Sequence, residues 1–201
     1  MLLDLKNISK SFYTINRKPG IKGIFSDILF SNQYIIKALE DINFSISIED
    51  RIGLIGKNGS GKSTLIKILS SVLKPTTGYI YFNNSEISKI KNHFKKQIGV
   101  FWGQRFQLSN ELALQESFEL LRFIYGIEKN KYRERIQFLL NTFKIEKYLK
   151  RPVRELSLGQ RIICEISAIF IHSPKIIFLD EPTIGLDLEI KELFYNSLLD
   201  L

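Results

Sequence analysis

The chain has 201 residues, 44% of them hydrophobic and 25% charged, which is enough to bury a core and unlike disordered, collagenous or low-complexity chains. Lys and Arg number 29 against 21 Asp and Glu, a net charge of +8; that excess suits a solvated surface, a nucleic acid or an anionic membrane face, and does not separate them. Asp4 and Lys6 inside the start MLLDLKNISK argue against a secretory leader, and no apolar run reaches the roughly 18 residues that span a bilayer.

In chain order, LLDLKNIS, DINFSIS, RIGLIG, GYIYF and QIGVF have strand length and Ile/Phe/Tyr content, so the first hundred residues are predicted to be strand-rich. Between the first two strands, Ile21, Ile24, Phe25, Ile28 and Leu29 fall on one face of a helix. That face suits either the edge of a sheet or a membrane partner. KSTLIKILS reads as a helix. From about Leu114 to Leu149 the pattern is helical again, with ESFELLRFIYGI and YRERIQFLLNTFKI flanking the polar EKNKY. This block is predicted to be an inserted helical subdomain. LSLGQR then opens a dense apolar helix, Ile162 to Phe170, whose Cys164 reads as a small buried hydrophobe of a reducing compartment. KIIFLDEP returns to strand, and its apolar run Ile176 to Leu179 suits the middle of a parallel sheet.

GKNGSGKST, residues Gly56, Lys57, Asn58, Gly59, Ser60, Gly61, Lys62, Ser63 and Thr64, matches G-x-x-x-x-G-K-[ST] between a predicted strand and a predicted helix. Glycines 56, 59 and 61 are expected to take positive φ and let the backbone approach a ligand. The freed N–H groups and the helix N-terminus then face an anion. Lys62 adds a point charge for β- and γ-phosphates, and Ser63 a hydroxyl ligand for Mg²⁺. Asp180, leaving the end of a buried strand, is placed to bind Mg²⁺ through water. Glu181 follows it as a candidate general base. These features define a P-loop nucleotidase and leave a nucleotide kinase open.

Ser157 and Gln160 in LSLGQR form an S-x-x-Q capping box. Gly159 costs that helix roughly 0.8–1.0 kcal/mol relative to Ala. In return it leaves a capped, electropositive helix end without a side chain, so that a large anion can touch backbone N–H groups.

The order GKNGSGKST, Gln104 in IGVFWGQR, LSLGQR, KIIFLDEP and TIGLD resembles the ATP-binding cassette family of transporter ATPases, over nearly the whole chain. The resemblance implies an α/β fold: a P-loop NTPase with a mostly parallel core sheet, an antiparallel β subdomain and an inserted helical subdomain. It implies one domain over residues 1–201, with a nucleotide-binding core at 1–105 and 155–201 and a helical, signature-bearing subdomain at 106–154. It also implies a head-to-tail dimer or paired cassette, in which Ser157, Gly159 and Gln160 of one subunit cap the γ-phosphate held by the P-loop of the other. By the same resemblance Phe12 stacks on adenine, with Tyr13 as second choice. Gln104 senses Mg²⁺ and the attacking water, and Asp187 communicates between the two sites. ATP and Mg²⁺ are the implied ligands, integral-membrane permeases the implied partners, and the cytoplasmic face of the membrane the implied location. No nucleic acid is expected.

The insertion NRKPGIKGIFSDILF, FWGQRFQL and PVRELSLGQR resemble exporter-type cassettes that serve separate permeases, and RIGLIGKNGSGKST resembles cassettes exporting surface polysaccharides. The alternatives are a soluble cassette ATPase acting on ribosomes or DNA and a non-hydrolysing nucleotide-binding remnant. The family pattern continues past TIGLD to a strand ending in a histidine that contacts the γ-phosphate. Neither His93 nor His172 occupies that place. Either the sequence is truncated, which is the expectation, or the protein lacks the switch; in both cases ATP binding is expected and independent hydrolysis by this chain is not.

Overall fold

The computed structural model describes residues 1–15, 33–103 and 106–199. The expected helical face at Ile21 to Leu29, and Gln104, lie outside the described residues. The chain divides into two compact units, Met1–Phe94 and Lys95–Leu201.

The first unit is built on an antiparallel sheet. β1 (Leu3–Ile15) pairs with β2 (Gln33–Ile46) on one side and β3 (Thr77–Phe82) on the other, and the two-residue β4 (Ser85–Glu86) extends β3. Leu3 and Leu5 are buried, and the next buried position is Ile8 rather than Asn7. The register shifts between Leu5 and Ile8 on the β2 side, and one extra residue there keeps the apolar face inward. Asn7 takes φ 53°, with its N–H donating to Asn43 Oδ1 at 2.7 Å and its Nδ2 to Asp41 Oδ1 at 2.8 Å. Opposite this bulge Gly78 has φ 89°, and a Cβ there would lie 2.3 Å from the Asn7 carbonyl oxygen, so only glycine fits. α1 (Lys62–Leu69) buries Leu65, Ile66, Ile68 and Leu69, and α2 (Lys91–Lys95) sets Phe94 edge-on to Phe82 at 5.2 Å.

The second unit holds a parallel pair, β5 (Ile98–Phe101) with β6 (Ile176–Leu179), in the register Ile98 to Ile176. Around it run α3 (Leu114–Tyr125), α4 (Lys129–Phe143), α5 (Leu158–Ile169) and α6 (Leu188–Leu199). Gly126 stops α3 at φ 66°, and Glu128 caps α4 by accepting from the Asn130 N–H at 3.1 Å. Phe118, Leu139, Phe143, Ile166 and Phe194 share one core with Cys164. Each large apolar side chain buried there contributes roughly 1.5–3 kcal/mol. Cys164 is the buried small hydrophobe expected, its thiol pushed up to about 12, first by burial.

The α/β class holds, with an antiparallel sheet, a parallel pair and a helical block. One strand does not. Residues 51–57 carry no regular secondary structure, and Ile55 is 99% exposed. The RIGLIG pattern records apolar side chains that suit a sheet interior. A strand, however, exists only through its ladder, and no ladder among the described residues includes this stretch.

Candidate functional site

The first unit carries the candidate phosphate loop, residues 56–64. Gly61 caps α1 in the left-handed conformation, φ 93°, with no side chain bonded to the cap. A Cβ at Gly61 would stand 2.5 Å from the Ala38 carbonyl oxygen of β2, so the sheet presses the bare helix start from behind. Gly59 also has positive φ, 80°. Gly56 does not, contrary to expectation. Its bare α-carbon instead makes room for the Ser60 hydroxyl, which would lie 2.7 Å from a Cβ there. Lys62 Nζ donates to the carbonyls of Gly56 at 2.8 Å and Lys57 at 2.9 Å, closing residues 56–62 into a ring. Lys57, Asn58, Gly59 and Ser60 are exposed along this loop, while Ser63 and Thr64 sit half-buried in the first turn of α1.

β2 also connects this loop to Phe12, since Ile36, two residues before Ala38, pairs with Phe12. The Phe12 ring is 38% exposed and lies 5.2 Å from the Lys10 ammonium. Tyr13 is more exposed still.

In the second unit, β6 delivers Asp180 and Glu181. The Asp180 N–H donates to the Phe101 carbonyl at 2.9 Å, the last rung of the parallel pair. Glu181 is exposed and takes φ 52°, an uncommon backbone for a residue with a Cβ. The carbonyl of Asp180 lies 3.1 Å from where a Cβ on Gly103 would be. The chain that leads into Gln104 therefore passes beside the Asp180–Glu181 turn.

α5 begins with the capping box read from the sequence. Ser157 Oγ accepts from the Gln160 N–H at 3.3 Å, and Gln160 Oε1 accepts from the Ser157 N–H at 3.1 Å. The helix end is less bare than expected, because a Cβ on Gly159 would lie 3.1 Å from Ile190 Cγ1. Gly159 thus admits α6 on one side as well as leaving backbone N–H groups open. Asp187 caps α6, accepting from the Ile190 N–H at 2.9 Å, so the TIGLD segment and the LSLGQR helix pack together.

His172 has a packing role. Its Nε2–H donates to the Ile98 carbonyl at 2.9 Å, its ring stacks on Tyr125 at 3.9 Å, and burial pulls its pKa below the usual imidazole range.

Sequence reasoning missed Glu165. Its side chain is 1% exposed in the middle of α5, and both carboxylate oxygens accept backbone N–H bonds, from Gln107 at 2.8 Å and Leu108 at 3.0 Å. Burial pushes its carboxyl above the usual range, while the two N–H donors and Arg161 pull the other way. The signal was a single acid inside the apolar run Ile162 to Phe170, since a carboxylate is almost never buried without partners.

A family model described as ABC transporter matches residues 39–184. The ABC transporter ATP-binding protein NatA of Bacillus subtilis is 31% identical over 160 residues, covering 80% of this chain and 65% of that protein. An energy-coupling factor transporter ATP-binding protein, EcfA2 of Caldanaerobacter subterraneus, is 40% identical over 172 residues, 82% of this chain and 59% of the relative. The chain thus spans less than two thirds of either relative. Among solved structures, an ATP-binding subunit of an ABC transporter has a TM-score of 0.78 at 25% identity, covering 100% of this chain and 74% of that one. The ATP-binding cassette MJ0796, dimeric and bound to ADP and Pi, has a TM-score of 0.76 at 28% identity, covering 98% and 81%. Phosphate loop, capped LSLGQR helix and Asp180–Glu181 turn thus occur on a cassette fold, and the chain belongs to the ABC transporter family as an ATP-binding cassette domain.

Proposed function

We propose that this chain binds ATP and hydrolyses it within a head-to-tail pair of cassettes, and that separate membrane permeases turn the closing and opening of the pair into transport. The observation that carries the reading is the start of α1, where Gly61 leaves the helix end uncapped by any side chain beside the Lys62 ring. A helix N-terminus with such a loop favours a polyphosphate.

In this reading the P-loop residues Gly56 to Thr64 hold the triphosphate and Phe12 stacks on the base. Ser63, Asp180 and Gln104 hold Mg²⁺. They are hard oxygen donors, and three of them would fill only half of an octahedron. That fits an ion which keeps water and substrate phosphates among its ligands. Mg²⁺ supplies charge stabilisation at the phosphates. Glu181 takes a proton from the attacking water as the bond between the γ-phosphorus and the bridging oxygen breaks and ADP leaves. Ser157, Gly159 and Gln160 reach the γ-phosphate of the opposite subunit. The helical, signature-bearing part, residues 106–154, transmits the motion.

Export is the direction this reading adopts, from the phrases FWGQRFQL and PVRELSLGQR. The EcfA2 relatives are named for energy-coupling factor transporters, so the direction rests on those phrases alone. No helix among the described residues is long and apolar enough to cross a membrane. In this reading the permeases hold the chain at the cytoplasmic face of the membrane.

The test is Gly159→Asp on a Glu181→Gln background in the full-length protein. Mg-ATP should double the mass of the Glu181→Gln protein by light scattering and leave the double variant monomeric. In a shared site the added carboxylate would face a triphosphate. Because the new Cβ also crowds Ile190, a loss of about 1 kcal/mol in stability is expected as well. An acid in the first turn of a helix without such a neighbour would be harmless or favourable. ATP binding to the monomer should survive. Normal dimerisation of the double variant would mean that LSLGQR only starts a helix.

A further inference from the structure

Glu165 has no part in the chemistry proposed above, and a carboxylate buried inside a helix bundle is expensive unless its partners give something back. Here its two hydrogen-bond partners belong to one short piece of chain. The N–H groups of Gln107 and Leu108 bind its two oxygens. One helical turn before it, Arg161 lays its guanidinium over the Phe106 ring at 3.9 Å, with its Nε 3.8 Å from Glu165 Oε1. Phe106 is thus held by an arginine, and Gln107 and Leu108 by an acid, both on α5. Gln107 is also fixed at its far end, where its Nε2 donates to the Val100 carbonyl of β5 at 3.1 Å.

We propose that Glu165 is a positioning residue. It ties the chain that leaves Gln104 to the helix that begins with Ser157 and Gly159, so that both nucleotide-facing segments move together. The lengths allow this. Eight residues of helix separate Ser157 from Glu165, about 12 Å of rigid rod. Gln104 is two residues from Phe106, at most about 7 Å of extended chain. Residues 106–108, which follow Gln104 in the sequence, therefore cannot leave α5 without breaking the Glu165 bonds. The inference rests on the nucleotide-site reading of Gln104, Ser157 and Gly159.

Glu165→Gln in the full-length protein is the direct test, because the amide keeps the shape and one acceptor but turns an NH₂ toward a backbone N–H. Three quantities are read: amide exchange at Gln107 and Leu108, affinity for Mg-ATP, and kcat. Exchange at those two amides should rise about ten-fold or more, as for loss of a charge-assisted bond. Mg-ATP affinity, set by the P-loop in the other unit, should stay within about two-fold. Turnover should fall about ten-fold or more. Phe106→Ala, which removes the seat of Arg161 and leaves the acid in place, should lower kcat in the same sense with affinity retained. It carries the test if Glu165→Gln fails to fold. Faster exchange with unchanged kcat would make the clamp structural only and overturn the proposal. Equal losses of affinity and kcat would overturn it too. Loss of the nucleotide-site reading would show differently, as ATP binding that ignores Lys62.

Discussion

Lys62→Ala is expected to abolish tight Mg-ATP binding. The ammonium holds two carbonyls of its own loop, Gly56 at 2.8 Å and Lys57 at 2.9 Å, and in the proposed complex it also supplies the positive charge at the β- and γ-phosphates. Truncation removes the charge and loosens the ring that shapes the backbone N–H cradle. Hydrogen bonds involving a charged group contribute roughly 1.5–3 kcal/mol each, so losing two of them weakens binding by about 100-fold or more. The fold should persist, because Lys62 is on the first turn of α1 and the buried side of that helix is Leu65, Ile66, Ile68 and Leu69. Titration calorimetry with Mg-ATP on the wild type and the variant measures the loss, and circular dichroism checks the fold. Unchanged affinity would remove the phosphate-loop assignment.

Glu181→Gln should leave Mg-ATP affinity within about three-fold and slow hydrolysis by about 10²–10⁴-fold, the usual range for a general base. The motive is geometric as well as sequential. β6 ends with the Asp180 N–H bonded to Phe101, and the next residue turns outward at φ 52°. A residue with a Cβ in that region costs of order 1–3 kcal/mol, and such strain gathers at functional sites. Single-turnover kinetics on the full-length protein measure the step without product release. Wild-type turnover by the variant would assign the base to another group.

Much of this was legible in the sequence wherever the signal is local. S-x-x-Q fixed the start of α5 because both halves of the capping box lie within one turn. The four apolar residues of β6 announced a strand, but among the described residues it pairs with β5 alone, so it does not take the middle place of the sheet that its apolar run suggested. The failures are long-range. The far halves of β1 and β2, where Phe12 pairs with Ile36, show no strong alternation of their own and exist because each pairs with the other. RIGLIG has strand chemistry without a ladder. α6 was not anticipated, and with it went the contact of Ile190 on Gly159, which changes what a substitution there does. Glu165 was visible as an acid in an apolar run. Its partners, 57 and 58 residues earlier in the chain, were not.

The central claim is that the catalytic site is shared by two chains, with the P-loop from one and LSLGQR from the other. Mixing two inactive full-length variants tests it most directly. Lys62→Ala spoils the P-loop, Gly159→Asp spoils the helix end, and each alone should fail to turn over ATP. In a head-to-tail dimer of one chain of each kind, one of the two composite sites has both defects and the other has none. Random pairing then returns about a quarter of the wild-type sites, and ATPase activity should reappear on mixing at that level. If the mixture stays as inactive as its components while both proteins are folded, each site belongs to a single chain, and the shared-site account is wrong.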